Sequence, residues 1–485
     1  MRLRLFGLVL GLVGFVSALS AQGQNLLVVI EDESDKTKYS QFWSDLQDRG
    51  FQLSYRSPKD TALSLFLHGE PAYSHLLLLP TKSKGFGPNL TPNLIVDFVN
   101  GGSNVLLALS AEQGIPSAVS SLLLELDISL PPDRNSLVVD HFNYDTQSAG
   151  DKHDVLLLPS SANSKKGIKN FFSVDGLVAF PHAVGQVLGN ASPLLASVIK
   201  APATAYTYNP KEDSTEGLED VFATGAQLTL VSAFQARNSA RFTVLGSSAA
   251  LEDKWFDASV SLPGSKTGKT GQKTANKAFA HALSAWTFKE LGVLRVNSVT
   301  HRLAEDTRAG ITNSTAVSAA PGDVNPEIYR IKNRVHYAVS LSEYSGTHWI
   351  PFTPPAGDAV QLEFSMLSPF HRLDLTPSPD TANPQNNATL YTAEFVLPDQ
   401  HGIFNFFLEY RRPFYTNVEE KRTVSVRHFA HDEWPRSFVI SAAFPWIGGI
   451  WVTVLGWLGF VGLWVYSKPG GARRELKVGG VGEKK

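Results

Sequence analysis

The stretch NLLVVI, Asn25–Ile30, sets five apolar residues in a row behind one polar one. A strand of that kind must be buried on both faces, as strands of parallel sheets are. The chain that follows supports this. YSQFWSDLQDRG places Phe42, Trp43 and Leu46 at helical spacing, with Gly50 as a stop. FQLSY, HLLLLP (His75–Pro80), NLIVDFVNGG and NVLLAL continue the alternation. The rhythm resumes at LVAF (Leu177–Phe180), QLTLVSAF (Gln227–Phe234) and RFTVLGSSAALEDKWF (Arg241–Phe256). The last of these reads strand, glycine turn, helix. A helix over Asn276–Leu291, carrying Phe279, Leu283, Trp286 and Phe288, closes the region. Strands alternating with helices predict βαβ units and a largely parallel, Rossmann-like α/β sheet over residues 21–296.

After residue 297 the texture changes. YRIKNRVHYAVSLSEY, DAVQLEFSML, HRLDL, LYTAEFVLP, GIFNFFLEYRR and RTVSVRHF alternate apolar and polar residues between Pro- and Gly-containing turns. This predicts an antiparallel β-sandwich over 297–437.

The ends of the chain give the compartment. Arg2 and Arg4 precede the apolar run Leu5–Val16, and Ala18 and Ser20 have the spacing of a cleavage site. Residues 1–20 therefore read as a secretory signal peptide. A transmembrane segment is expected over 438–466. Its uncharged core, residues 447–466 (IGGIWVTVLGWLGFVGLWVY), is long enough to cross roughly 30 Å of hydrocarbon. Trp446 marks one end, and Trp464 with Tyr466 the other. The tail, residues 467–485, carries Lys468, Arg473, Arg474, Lys477, Lys484 and Lys485 against Glu475 and Glu483, so the positive-inside rule puts it in the cytosol. The body then lies on the translocated side of a single-pass type I protein, with the sandwich nearest the bilayer. A net charge of −2 shows no bias towards nucleic acid. With no cysteine, the body must be held by core burial rather than disulfides.

Motifs for chemistry are sparse. PGSKTGKTGQK (Pro263–Lys273) nears the P-loop pattern, with Gly268, Lys269 and Thr270 in place. However, Pro263 stands where the first glycine belongs, and proline lacks both the freedom and the amide that position needs. It reads as an exposed, mobile lysine loop joining two helices. EDESDK puts Glu31 and Asp32 at the end of the first strand, where carboxylates could hold a metal or work as an acid/base pair; the simpler reading is a solvated helix start. DHFNYD (Asp140–Asp145), KHD (Lys152–Asp154) and RHFAHDEW (Arg427–Trp434) contain histidines and acids without zinc-site spacing. No G-x-S-x-G elbow is present. No catalytic, metal or cofactor residue is assigned. Of the sequons at Asn89, Asn190, Asn313 and Asn387, the first two are followed by proline, which leaves Asn313 and Asn387 as the cleaner acceptors. In the membrane helix, Gly449, Thr453 and Gly456 form one narrow stripe suited to packing on another helix. Trp446, Trp457 and Trp464 share a neighbouring face.

Longer blocks carry a resemblance. NLLVVIED, VVDHFNYD (Val138–Asp145), APATAYTYNP (Ala201–Pro210), GSSAALEDKWF and AWTFKELGVLRVNSVTHR occur in order. PEIYRIKNRVHYAVSLSEYSGTHWIPF, DAVQLEFSMLSPFHRLDL, EFVLPDQHGIFNFFLEYRRPFY and HDEWPRSF follow them. The chain resembles the non-catalytic DDOST-type subunits (48 kDa, WBP-like) of the eukaryotic oligosaccharyltransferase over nearly its whole mature length. The resemblance implies an endoplasmic reticulum membrane protein acting in N-glycosylation, with no cofactor of its own. It implies as partners a ribophorin II-like subunit, a small DAD-like subunit and the STT-type catalytic subunit, where the chemistry resides. Relatives often end in a dilysine retrieval signal with two further residues. Here Lys484 and Lys485 are terminal, so retention by assembly is expected. A membrane-anchored lumenal α/β enzyme using Glu31, Asp32 or the 263–273 loop is the alternative, and a glycan- or lipid-binding module is a third reading.

Overall fold

The computed structural model describes residues 19–83, 85–160, 168–190, 192–210, 221–264, 271–304, 322–383, 387–430, 433 and 443–467. β1 (Asn25–Val29), α1 (Ser40–Asp48) and β2 (Gln52–Arg56) form the opening unit. α1 buries Phe42, Trp43 and Leu46, the residues its spacing selects. Full burial of such a side chain is worth about 1.5–3 kcal/mol. A small hairpin, β3–β4 (Phe66–Leu67 and Glu70–Pro71), leads to β5 (His75–Leu78). α2 (Pro92–Asn100) begins where Thr91 Oγ1 accepts the Leu94 N–H at 3.3 Å, with Pro92 in the first turn. β6 (Asn104–Ala108) and α3 (Ser117–Glu125) complete the simple alternation.

Seven strands then succeed one another with no α-helix among the described residues. They are β7 (Ile128–Ser129), β8 (Leu137–Val139), β9 (Val155–Pro159), β10 (Leu177–Pro181), β11 (Gln186–Leu188), β12 (Leu195–Lys200) and β13 (Tyr206–Tyr208). β14 (Leu228–Gln235), β15 (Arg241–Leu245), the single-turn α4 (Asp253–Phe256), the hairpin β16–β17 (Ser259–Val260 and Gln272–Lys273) and α5 (Asn276–Thr287) follow. The main sheet runs β2-β1-β5-β6-β15-β14-β11-β7, with β12 beside β14. It is parallel from β2 to β15 and antiparallel beyond. The sheet is thus mixed, where a largely parallel one was expected. The cause is local: β14 turns back into β15 through a short loop closed by the Ala236 N–H to Ala240 O bond (2.8 Å), and a hairpin is antiparallel by construction. LVAF is a strand, but it pairs with β9 outside the main sheet. Within β1, Leu26 and Val28 face one core and Leu27 and Val29 the other, so the sheet is covered on both sides.

The described residues of the second region form ten strands: β18 (Leu291–Leu303), β19 (Ile328–Arg330), β20 (Arg334–Ser345), β21 (Trp349–Pro351), β22 (Gln361–Ser365), β23 (Pro369–Asp374), β24 (Thr376–Asn383), β25 (Ala388–Val396), β26 (Gly402–Tyr410) and β27 (Val418–Arg427). One sheet runs β18-β20-β25-β24 with β21 beside β20, and the other β19-β27-β26-β22-β23. Val335, Tyr337 and Val339 of the first share a core with Leu362, Phe364, Phe404 and Phe406 of the second. The boundary drawn between residues 296 and 297 falls inside β18.

The two regions are tied together by the loop Arg411–Asn417 between β26 and β27. Arg241, fully buried on β15, donates to the carbonyls of Trp286 (2.5 Å), Leu291 (2.7 Å) and Gly292 (2.8 Å). Trp286 Nε1 donates to Phe414 O at 2.8 Å, and Asn417 Nδ2 donates to Ala236 O and Arg237 O. Gly292 has φ 66°, and a Cβ there would stand 2.5 Å from Phe414 O, so only glycine fits. α6 (Ala443–Tyr466) stands apart from this: none of its residues is buried.

Candidate functional site

In open α/β sheets, ligands bind beyond the carboxyl ends of the parallel strands, where the strand order reverses. Here that place is the gap between β1 and β5, and the chain's own side chains fill it. Glu31 Oε2 accepts the Lys82 backbone N–H at 2.6 Å, and Oε1 accepts the Ser83 hydroxyl at 2.8 Å and Lys59 Nζ at 3.3 Å. Asp32 pairs with Lys82 Nζ at 3.1 Å. Burial works to raise the Glu31 pKa, but the Ser83 hydroxyl, the Lys82 amide and Lys59 outweigh it and hold the carboxyl below its ordinary value. Glu31 is therefore a settled carboxylate occupying donors that could otherwise receive an anion, and it is poorly suited to act as a general acid.

A second group on the same edge joins Asp154 of the KHD motif to two residues that no motif singled out, Glu112 and His182. His182, with φ 46°, lies between Glu112 (Nε2 to Oε1, 3.0 Å) and Asp154 (Nδ1 to Oδ2, 3.2 Å). The Asp154 hydrogen bond raises the His182 pKa despite burial, and Glu112 adds to the rise. In return, His182 holds Asp154 below its ordinary value. The nearby Ser247 hydroxyl is committed to Pro181 O at 2.5 Å, so it does not act as the nucleophile of a triad with His182. The three charged residues come from three separate loops, and no short sequence motif could have joined them.

DHFNYD and KHD do come together, as a turn. Asp140, fully buried, accepts the Phe142 N–H at 2.8 Å, Asn143 Nδ2 at 3.0 Å and Thr204 Oγ1 at 2.8 Å. His141 contacts His153 through the Nδ1 atoms and Tyr206 OH at 3.0 Å. In RHFAHDEW, Arg427 grips Glu433 with two bonds of 2.7 Å, which lowers that carboxyl to about 2, and the His428 ring lies tilted against His401 with centroids 4.0 Å apart. His431 and Asp432 lie outside the described residues. Among the described residues no group of three or more His, Cys, Asp or Glu is placed to hold a metal.

Of the near P-loop, Gly268, Lys269 and Thr270 lie outside the described residues. The flanks correct one expectation: they pair as the β16–β17 hairpin, so the loop joins two short strands rather than two helices. Asn313 also lies outside the described residues. Asn387 is exposed at the turn into β25. Asn89 uses its amide nitrogen on Thr61 O at 3.3 Å. On α6, the stripe Gly449, Thr453, Gly456 is open, and nothing lies within 4 Å of a Cβ built on either glycine. The Thr453 hydroxyl returns to Gly449 O at 2.8 Å.

Comparison with known proteins gives a consistent answer. The OST48 N-terminal domain model matches residues 17–290, and the OST48 middle domain model matches residues 314–468. The chain is 32% identical over 430 residues to the dolichyl-diphosphooligosaccharide–protein glycosyltransferase 48 kDa subunit of Danio rerio, covering 89% of each chain. It is 30% identical over 453 residues to the glycosyltransferase subunit wbp1 of Schizosaccharomyces pombe, covering 93% of this chain and 94% of that one. It is 28% identical over 445 residues to the 48 kDa subunit of Arabidopsis thaliana, covering 92% and 93%. Among solved structures, the carbohydrate deacetylase Agd3 is similar at a TM-score of 0.30 and 11% identity, covering 57% of this chain and 33% of that one, which is too loose to carry an argument.

Proposed function

The chain belongs to the OST48 family, and on that premise we propose that it is a non-catalytic subunit of the oligosaccharyltransferase, the complex that transfers a preassembled glycan from dolichyl diphosphate to asparagine in nascent proteins. The observation that carries the non-catalytic reading is the filled carboxyl edge, where Glu31 takes up the Lys82 amide and the Ser83 hydroxyl that an anionic substrate would need. The expected partners are a ribophorin II-like subunit, a small DAD-like subunit and the STT-type catalytic subunit. In this reading the α/β body (21–296) is Rossmann-like and the two facing sheets (297–437) form a β-sandwich. Both are lumenal, the segment 438–466 spans the endoplasmic reticulum membrane, and the tail 467–485 is cytosolic. Asn313 and Asn387 are the glycan acceptors, and Gly449, Thr453 and Gly456 pack on a partner helix.

Depletion tests the reading: underglycosylation together with loss of the other subunits is expected, and an intact, fully active complex in its absence would sink it. The alternative, an enzyme using Glu31 and Asp32, predicts a different result for the double variant Glu31→Ala, Asp32→Ala. Glycosylation would fail there with the complex still assembled.

A further inference from the structure

Strand polarity gives the two-sheet region an upper and a lower end. At the upper end lie the loop Arg411–Asn417, the start of β18 and the end of β20, all against the α/β body. The register then fixes the other end. Gly402 pairs with Val426 and Ser365 with Asn405, so the start of β26, the end of β27 and the Met366–Ser368 turn between β22 and β23 share the lower end. A Cβ on Gly402 would stand 2.7 Å from Met366 Sδ, which confirms the neighbourhood. Val396 arrives at the same end, opposite Arg334.

This end sets exposed apolar side chains among charged ones such as the Lys332–Asp399 and Arg334–Glu394 pairs. Among the described residues of the two sheets, the exposed large apolar side chains are Leu367 (99%), Ile403 (63%), Val324 (63%) and Val396 (45%). Leu367, Ile403 and Val396 sit at the lower end, and Val324 lies beside Asn325, whose N–H binds His301 O towards it. Exposed apolar side chains gathered at one end mark a contact surface. The chain also leaves the sheets here, and the exit is fastened: Glu433 is held by Arg427 and the Ala430 N–H. From Glu433 to Ala443, where α6 begins, there are about ten residue steps, at most ~35 Å of extended chain. The apolar end is thus leashed within a short distance of whatever α6 enters.

We propose that the lower end, led by Leu367 at the tip of the β22–β23 hairpin, rests in the lipid interface beside α6. The hairpin is then a second, peripheral membrane contact that fixes the height of the body above the bilayer. The proposal rests on α6 spanning the membrane.

The chain has no cysteine, so single labels are clean. Leu367→Cys, Thr347→Cys at the upper end and Leu458→Cys within α6 would each carry an environment-sensitive fluorophore on the full chain in phosphatidylcholine vesicles. Headgroup-level nitroxide lipids should quench the label at 367 several-fold more than that at 347, and a water-soluble quencher should show the reverse order. Lipids with the nitroxide near the end of the acyl chain should quench the label at 458, which lies near the middle of α6. Acyl-chain quenching at 458 without headgroup quenching at 367 overturns the proposal and leaves the membrane helix standing. Absence of acyl-chain quenching at 458 overturns the membrane reading itself. Protection of 367 only in the purified complex, and not in vesicles, overturns the lipid contact and assigns this end to another subunit.

Discussion

At the scale of single residues, two groups carry measurable consequences. His182 is held more firmly protonated in the folded chain than in the unfolded one, through Asp154 first and Glu112 second. Its contribution is therefore complete below the ordinary histidine value of 6.5 and fades as pH rises through the raised one. His182→Gln should lower the melting temperature clearly near pH ~5.5 and little near pH ~8.5. An equal drop at both would mean that the bridge acts by packing and not by charge. Arg241 is different. Burial pulls its pKa down to about 9, so it stays charged near neutrality, with backbone carbonyls as its partners in place of a carboxylate. Arg241→Met would keep the volume and strand those carbonyls, at about 2–4 kcal/mol in chemical denaturation. Arg241→Lys should fall between, because a single ammonium cannot reach as many acceptors as the guanidinium fork. Neither residue was legible in the sequence: Arg241 looked like the first residue of a strand, and His182 had no neighbour of its own kind nearby.

At the scale of elements, legibility followed the range of the interactions. α1, α5 and α6 declare themselves through local periodicity or an unbroken apolar run, and the buried faces of α1 and α5 fall where the spacing put them. α5 stops at Thr287, short of Leu291, because Lys289 takes φ 59° and Leu291 starts β18. The strands β7 to β13 are two to six residues long and, apart from the LVAF run of β10, nothing local announces them, because their partners are distant in the chain. The block DHFNYD is now understood as a turn built on the buried Asp140 carboxylate. The stripe on α6 is sharpened as well. With its hydroxyl donated to Gly449 O, Thr453 leaves a partner helix close approach and an acceptor oxygen, but no hydroxyl donor. Gly449→Leu with Gly456→Leu should reduce recovery of the partner subunits from detergent extracts, while Leu458→Ala on the opposite face should not. Equal recovery from both would make the glycines ordinary membrane-helix residues.

At the scale of the molecule, the question is whether the body and the two sheets move as one. The sequence suggested two regions joined in series, but the loop Arg411–Asn417 reaches back across the junction, a contact between residues far apart in the chain. Phe414 takes φ 69°, a conformation that costs a bulky residue of order 1 kcal/mol or more. It is retained there because its ring meets Trp286 at 5.7 Å and Phe172 at 5.1 Å, edge to face, while its carbonyl receives Trp286 Nε1. Interfaces between domains of one chain usually allow relative motion unless they are large and apolar. This one adds an aromatic cluster, a buried guanidinium and the Lys169–Glu343 pair at 2.6 Å. The full chain should therefore unfold in a single calorimetric transition. Phe414→Ala removes the ring contacts but leaves each region its own core, so it should split that transition in two, with the smaller component moving to lower temperature. Phe414→Gly should behave similarly with a smaller overall loss, since glycine relieves the backbone at φ 69°. One unchanged transition in both variants would show that the regions are coupled elsewhere, and two transitions in the unaltered chain would show that they are not coupled at all.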